Sequence, residues 1–278
     1  MKLAISVLGL LAAVVSGAVI GMPHRALAAE SAVENMGATV RLLPGRPASP
    51  DQWRAGIAFH LEEGWKTYWR VPGDSGVPPV FDWSGSTNLA DIKVLWPAPK
   101  LFEDGGGHSI GYTSDVILPL VLRPKDPSAP INLHVRMDYA VCSTLCVPAH
   151  AELALDLDSK TAAGADGDLV AAHEARVPTP IALGATGSPA LTAVTVDKAA
   201  TTPLLKVTAT GPAEAILLVE GPTNWFFAPA KAEPSSSGTL SFTVPIDGAP
   251  KNAVLSGTAL SLTLATPDGG IESAFTIP

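Results

Sequence analysis

The sequence contains only two cysteines among its 278 residues. A small fold held together by many disulfides is therefore excluded, although one cysteine pair is available. Methionine is also scarce, with four residues, so the chain has no methionine-rich copper motif. Lysine and arginine form no run, and the formal net charge is −8. Nucleic acid and an anionic membrane surface are therefore poor candidates for a partner.

Glycine and proline are frequent, with 25 and 26 residues, but they follow no collagen-like repeat. Apolar residues make up 47% of the chain, which is enough to build a buried core. This composition favours many short strands joined by turns over long helices. We therefore predict an all-β protein made of two β-sandwich domains.

The first 29 residues are typical of a secretory signal peptide. Lys2 supplies a positive charge, residues 3–20 are almost entirely apolar, and Ala26-Leu27-Ala28 has the small-x-small pattern of a cleavage site. An uncleaved membrane anchor is the alternative, because the apolar run approaches the roughly 18 residues that begin to suggest a span. We expect cleavage and a periplasmic mature chain, in an oxidising compartment where a cysteine pair can matter.

Alternating hydrophobicity predicts the main strands. Residues 53–61 and 131–141 each place apolar side chains on one face and polar side chains on the other, and residues 151–157 repeat the pattern. The last two segments should form a hairpin with residues 142–149 at its tip. Residues 116–122 are apolar on both faces, and Pro119 among them predicts an edge strand or a bulge.

A change in composition separates the two predicted sandwiches. Residues 159–167 are rich in Ala, Gly, Ser and Asp, and Asp168 is predicted to cap a short helix over residues 169–176. Both cysteines and all three tyrosines precede this region, so we expect redox or metal chemistry in the first sandwich. The predicted division is a signal peptide at 1–29, the first sandwich at 30–158, a linker at 159–180 and the second sandwich at 181–278.

Cys142 and Cys146 lie in the segment Val-Cys-Ser-Thr-Leu-Cys-Val-Pro. An extended chain would separate their Cα atoms by about 13 Å, whereas a disulfide needs roughly 4.4–6.8 Å, which a tight turn provides. A small ring at a hairpin tip constrains the unfolded chain little, and an accessible position suits thiol exchange. The spacing alone leaves open an inert structural disulfide, a redox-active pair and a metal site.

Five segments form a specific combination, namely Cys142–Pro148, Glu63–Arg70, Pro72–Gly76, Trp96–Pro99 and Gly111–Tyr112. Together they resemble the periplasmic N-terminal domain of the DsbD family of thiol:disulfide interchange proteins, and especially its ScsB-like branch. The resemblance extends over about residues 35–160 and more loosely over residues 180–278.

The resemblance implies an immunoglobulin-like sandwich that acts as a protein-disulfide reductase without a cofactor. In it, Cys142 and Cys146 receive electrons from a membrane-embedded thiol transporter and reduce periplasmic thioredoxin-like proteins. It also implies a cap loop at residues 101–108, with Phe102 covering the pair and Tyr68 and Tyr139 supporting it. An ordinary core position is the alternative for each of these aromatic residues.

The chain departs from the family pattern in two ways. Three residues separate the cysteines, whereas five separate them in the best-studied branch. Full-length family members continue into membrane helices and a thioredoxin-like domain, while this sequence ends at Pro278. We therefore expect the membrane transporter to be a separate chain.

Two other functions compete with disulfide exchange. Cys142, Cys146 and His150 could supply soft copper ligands at a spacing of four and four, as in a copper-binding or copper-tolerance protein. A non-catalytic binding sandwich with a structural disulfide is the other alternative, since the tryptophans of the first sandwich could stack on a ligand.

Overall fold

The computed structural model describes residues 32–74, 76–104, 107–158, 163–233, 239–250 and 252–278. The predicted signal peptide at 1–29 lies outside the described residues. Within the described part of the chain, no helix is long and apolar enough to cross a membrane.

The first part of the described chain is built from strands that form two sheets. One sheet has the strand order β1-β2-β3-β9-β6, and the other has the order β11-β10-β4-β8-β7, with β5 also paired to β10. The strands are β1 (Ala32–Asn35), β2 (Ala38–Pro44), β3 (Trp53–Leu61), β4 (Lys66–Gly73), β5 (Val80–Asp82), β6 (Leu89–Val94), β7 (Lys100–Asp104), β8 (Gly107–Tyr112), β9 (Val116–Pro124), β10 (Ile131–Cys142) and β11 (Cys146–Leu157).

The apolar faces of these two sheets pack against each other. Side chains of β3 and β9 from one sheet and of β10 and β11 from the other share a single core cluster. The predicted all-β sandwich is thus confirmed, and we call this unit the first sandwich.

The predicted hairpin is confirmed, but its tip is shorter than the predicted residues 142–149, because β10 extends to Cys142 and β11 begins at Cys146. β10 and β11 pair without a break from Ile131 opposite Leu157 to Cys142 opposite Cys146. The alternate residues of β10 from Ile131 to Val141 are buried in the core, as the sequence pattern predicts. This long, regular ladder fixes the position of its own tip.

The prediction for Pro119 is wrong. Its strand, β9, is neither at an edge nor bulged at that residue, because it lies between β3 and β6 and pairs Pro119 with Gly56. The carbonyl of Pro119 accepts a hydrogen bond from the Leu95 amide, just beyond the end of β6 at Val94. The N side of Pro119 faces the same way, so its missing N–H falls where the pairing with β6 stops.

The second part of the described chain forms another pair of sheets, which we call the second sandwich. The strand orders are β12-β19-β18-β15-β16 and β13-β14-β17, and both sheets contribute to a second core cluster. The strands are β12 (Thr179–Pro180), β13 (Ala190–Asp197), β14 (Leu204–Thr210), β15 (Ile216–Glu220), β16 (Ala230–Lys231), β17 (Thr239–Pro245), β18 (Ala259–Thr266) and β19 (Gly269–Thr276).

A short helix, α1 (Gly164–Glu174), connects the two sandwiches, but it begins earlier than predicted. Asp168 lies inside the helix and pairs with Arg46, so it is not the N-cap. The N-cap is Ala163, which makes no side-chain capping bond. Because Ala163 has no capping side chain, the sequence did not mark the true start of the helix.

Candidate functional site

The tip of the β10–β11 hairpin holds a disulfide between Cys142 and Cys146. The turn at residues 143–145 brings the two Cα atoms to 4.1 Å, and the Ser143 amide donates to the Leu145 carbonyl across it. Both cysteines are therefore paired with each other, and the described residues contain no free cysteine.

The two cysteines differ in their access to solvent. Cys142 is fully buried at 0% exposure, whereas Cys146 is exposed. Leu145, the last residue of the turn, is 74% exposed and stands beside Cys146. Of the two cysteines, Cys146 therefore lies on the solvent side of the disulfide.

Tyr68, on β4, contacts both sulfur atoms. Its hydroxyl lies 2.8 Å from Sγ of Cys142 and 3.3 Å from Sγ of Cys146. Disulfide sulfurs carry no hydrogen, so the hydroxyl is the donor. Tyr68 is only 1% exposed, so this hydrogen bond is shielded from water.

Neighbouring backbone fixes the ring of Tyr68. A Cβ on Gly76 would lie 2.7 Å from Cδ1 of Tyr68, so only glycine allows this close approach. Gly111 is paired with Tyr68 on β8, and a Cβ there would lie 2.1 Å from the Thr67 carbonyl oxygen. Gly76 and Gly111 lie in two of the segments that resemble the DsbD family, and both allow the close packing that positions Tyr68.

Phe102 lies beside the site, as the resemblance predicts, but it belongs to a strand. The predicted cap segment forms the hairpin of β7 and β8, with Phe102 opposite Ser109, and residues 105–106 lie outside the described part. The Phe102 ring is 6.5 Å from the Tyr68 ring and packs on the cluster that contains Cys142. It is half-buried, and its role as a cap stays a prediction.

Lys66 is a neighbour of the pair that the sequence analysis missed. It stands opposite Cys142 in the pairing of β4 with β10, and its Nζ lies 5.0 Å from the centre of the Phe102 ring. A cation over an aromatic face attracts the ring. The residue was visible in the segment Glu63–Arg70, but the sequence carried no signal for this contact.

Tyr139 is not brought to the disulfide. Its ring packs in the core at 5.4 Å from Phe59, and its hydroxyl accepts a hydrogen bond of 2.8 Å from Asn35. Burial raises the pKa of Tyr139, although the Asn35 hydrogen bond opposes the shift. These contacts are those of a residue that supports the first sandwich.

His150 stands on β11 opposite Asp138, and its Nδ1 lies 2.8 Å from the Asp138 carboxylate. Four residues of extended strand separate it from Cys146, a distance of about 13 Å. Among the described residues, no three His, Cys, Asp or Glu side chains form a group that could hold a metal ion. In the disulfide form, Cys142, Cys146 and His150, the alternative copper ligands, form no such group.

The first sandwich is similar to the N-terminal domain of thiol:disulfide interchange proteins. The family model described as "Thiol:disulfide interchange protein DsbD, N-terminal" matches residues 39–158, which include the disulfide and Tyr68. The structure is similar to the crystal structure of the N-terminal periplasmic domain of ScsB from Proteus mirabilis, with 25% identity and a TM-score of 0.69. The match covers 88% of this chain and 96% of that chain, and so extends into the second sandwich. No curated protein gives a significant match.

Proposed function

Because residues 39–158 belong to the DsbD N-terminal domain family, we propose that this protein is a periplasmic thiol–disulfide interchange module. It takes reducing equivalents from a membrane-embedded thiol transporter and passes them to thioredoxin-like proteins through Cys142 and Cys146. The observation that carries the proposal is a disulfide between an exposed residue, Cys146, and a buried residue, Cys142, with a tyrosine hydroxyl in contact with its sulfurs.

Reduction of the module begins at Cys146, the exposed cysteine. A thiolate of the transporter attacks Sγ of Cys146, the Cys142–Cys146 bond breaks, and Cys142 leaves as a thiolate. Tyr68 donates a hydrogen bond to that leaving sulfur, and a bond to a charged acceptor is stronger than one to a neutral sulfur. The second transporter thiol then attacks the mixed disulfide and releases Cys146 as a thiolate.

Electrons leave the module by the same route. The Cys146 thiolate attacks a partner disulfide and releases one partner sulfur as a thiolate, which leaves a mixed disulfide at Cys146. The buried Cys142 thiolate then attacks Sγ of Cys146, the second partner thiolate departs, and the internal disulfide forms again. Two electrons have passed to the partner, and the module is ready for another cycle.

The redox potential of the pair tests this function. We expect equilibration with glutathione, followed by thiol alkylation, to give a potential within roughly −120 to −270 mV, the range of known exchange proteins. A potential well below roughly −300 mV would show a structural disulfide and leave the non-catalytic binding sandwich as the better description.

Single cysteine variants test the two roles. Cys142→Ser keeps the exposed thiol, and we expect it to form a stable mixed disulfide with an oxidised thioredoxin-like protein. Cys146→Ser keeps only the buried thiol and serves as the matched control, which we expect to form little or none. A mixed disulfide that accumulates only with Cys146→Ser would reverse the assigned roles.

A further inference from the structure

Arg70 connects the strand of Tyr68 to the second sandwich. Its Nε and Nη2 donate to the two carboxylate oxygens of Glu220 at 2.9 and 2.6 Å, and Nη2 also donates to Glu272 at 2.5 Å. All three side chains are half-buried, with exposures of 26%, 18% and 34%. A two-pronged guanidinium–carboxylate pair of this kind fixes direction as well as distance.

The two glutamates are themselves held in a sheet. Glu220 ends β15, and Glu272 lies on β19, where its carboxylate accepts a hydrogen bond of 3.2 Å from the fully buried Thr263. Burial opposes the charge of Arg70, but the hydrogen bonds and charges of Glu220 and Glu272 outweigh it and raise the pKa of Arg70. The arginine therefore stays charged and anchored.

Arg70 lies in the part of β4 that is not regularly paired with β8. β4 pairs with β8 at Thr67 and Tyr68 and again at Gly73, with a shift of register between Tyr68 and Gly73. Residues 69–72 thus have no regular partner on β8. An unpaired stretch of strand needs other contacts to hold its conformation.

Trp69 and the second sandwich supply other contacts here. The Arg70 guanidinium lies 4.1 Å from the ring centre of Trp69, which is fully buried. Leu218 of β15 and Ala265 of β18 join the core cluster of the first sandwich. The second sandwich therefore contributes side chains to the core of the first sandwich as well as holding Arg70.

We propose that Arg70 is a positioning residue for the redox pair, and that the second sandwich serves disulfide exchange by holding it. Glu220 and Glu272 fix Arg70, Arg70 fixes the unpaired segment of β4, and this segment keeps the preceding Tyr68 hydroxyl aimed at Sγ of Cys142. This inference rests on the proposed exchange function and gives the second sandwich a role in it.

The test measures how fast dithiothreitol reduces the disulfide of the full chain, since a small thiol needs no docking surface. We expect Arg70→Met to slow the reaction about fivefold and Tyr68→Phe to slow it about tenfold. The double variant should react no more slowly than Tyr68→Phe alone, because Arg70 acts through that hydroxyl. Arg70→Lys, which keeps the charge, should recover part of the rate.

Arg54→Met is the matched control. Arg54 also makes a half-buried ion pair, with Nε 3.0 Å from both carboxylate oxygens of Glu174, but it joins β3 to α1 rather than reaching β4. We expect this variant to lose stability and keep the wild-type reduction rate. If Arg70→Met folds poorly, Glu220→Gln removes the opposing charge more gently and should still slow the reaction.

Three results would overturn the inference while leaving the exchange function intact. They are a wild-type rate in folded Arg70→Met and Glu220→Gln, full multiplication of the two effects in the double variant, and an equal loss of rate in Arg54→Met. Failure of the exchange function itself would appear separately, as a wild-type potential below roughly −300 mV.

Discussion

The hydroxyl of Tyr68 lies 2.8 Å from the buried sulfur of Cys142, across 74 residues of sequence. When the disulfide is reduced, the sulfur that accepts this hydrogen bond changes from a neutral disulfide sulfur to a negatively charged thiolate. A donor that is already in place stabilises the leaving sulfur without rearrangement. In the proposed exchange reaction, Tyr68 therefore acts on the leaving sulfur as well as supporting the fold.

Tyr68→Phe tests this role directly. We expect the variant to raise the pKa of the Cys142 thiol and to slow disulfide reduction about tenfold, since a hydrogen bond to a charged group contributes about 1.5–3 kcal/mol. Stopped-flow reduction and the pH profile of alkylation measure both effects. Tyr112→Phe is the control, because the Tyr112 hydroxyl donates to the Pro97 carbonyl and not to sulfur. Equal rates in all three proteins would contradict the assignment.

Phe102→Ala tests the cap. The ring packs on the cluster that buries Cys142, so we expect its loss to let iodoacetamide alkylate the reduced Cys142 thiol several-fold faster. Cys146 is already exposed and should change less. Tandem mass spectrometry distinguishes the two sites. Phe81→Ala removes an aromatic contact with Trp83 elsewhere and should leave both rates unchanged. Unchanged alkylation of Cys142 in Phe102→Ala would show that the ring is not a cap.

Tyr139→Phe should affect stability and not exchange. The variant loses the part-buried hydrogen bond from Asn35, which contributes about 1 kcal/mol, and keeps the packing on Phe59. Urea unfolding measures the first effect and dithiothreitol reduction the second. A slower reduction at unchanged stability would instead place Tyr139 in the redox machinery.

Asp82 gives the first sandwich a defined acid sensitivity. Hydrogen bonds from Ser84 and the charge of Arg136 lower the pKa of Asp82 to about 2. Because the folded-state pKa lies below the unfolded value of about 3.9, this stabilisation is complete above pH 4 and is lost as the pH falls to 2. Urea unfolding of the wild type and Asp82→Asn should therefore differ above pH 4 and converge near pH 2. A constant difference over that range would refute the linkage.

Sequence patterns predicted the features that depend only on residues close together in the sequence. The β10–β11 hairpin was predictable because alternation sets each strand and the tip between them needs no distant partner. Pro119 was misjudged because its environment depends on β3 and β6, which are distant in sequence. The start of α1 was missed because Ala163 offers no capping side chain.

Contacts between residues that are distant in the sequence could not be predicted from its local patterns. Tyr68 entered the candidate site only through the family resemblance, since nothing in its local spacing points to Cys142. The ion pair of Arg70 and Glu220 spans 150 residues and joins two separate sandwiches. Neither residue carries a local signal that distinguishes it from an ordinary surface charge.

Cys146 begins β11, which pairs only with β10 among the described strands and so forms an edge of its sheet. An exposed edge of this kind can pair with the same strand of a second copy. Pro148 removes one backbone donor from this edge, and the exposed Glu152 and Asp156 add negative charge. These features oppose self-association along β11, the strand that carries Cys146 to partner proteins in the proposed function.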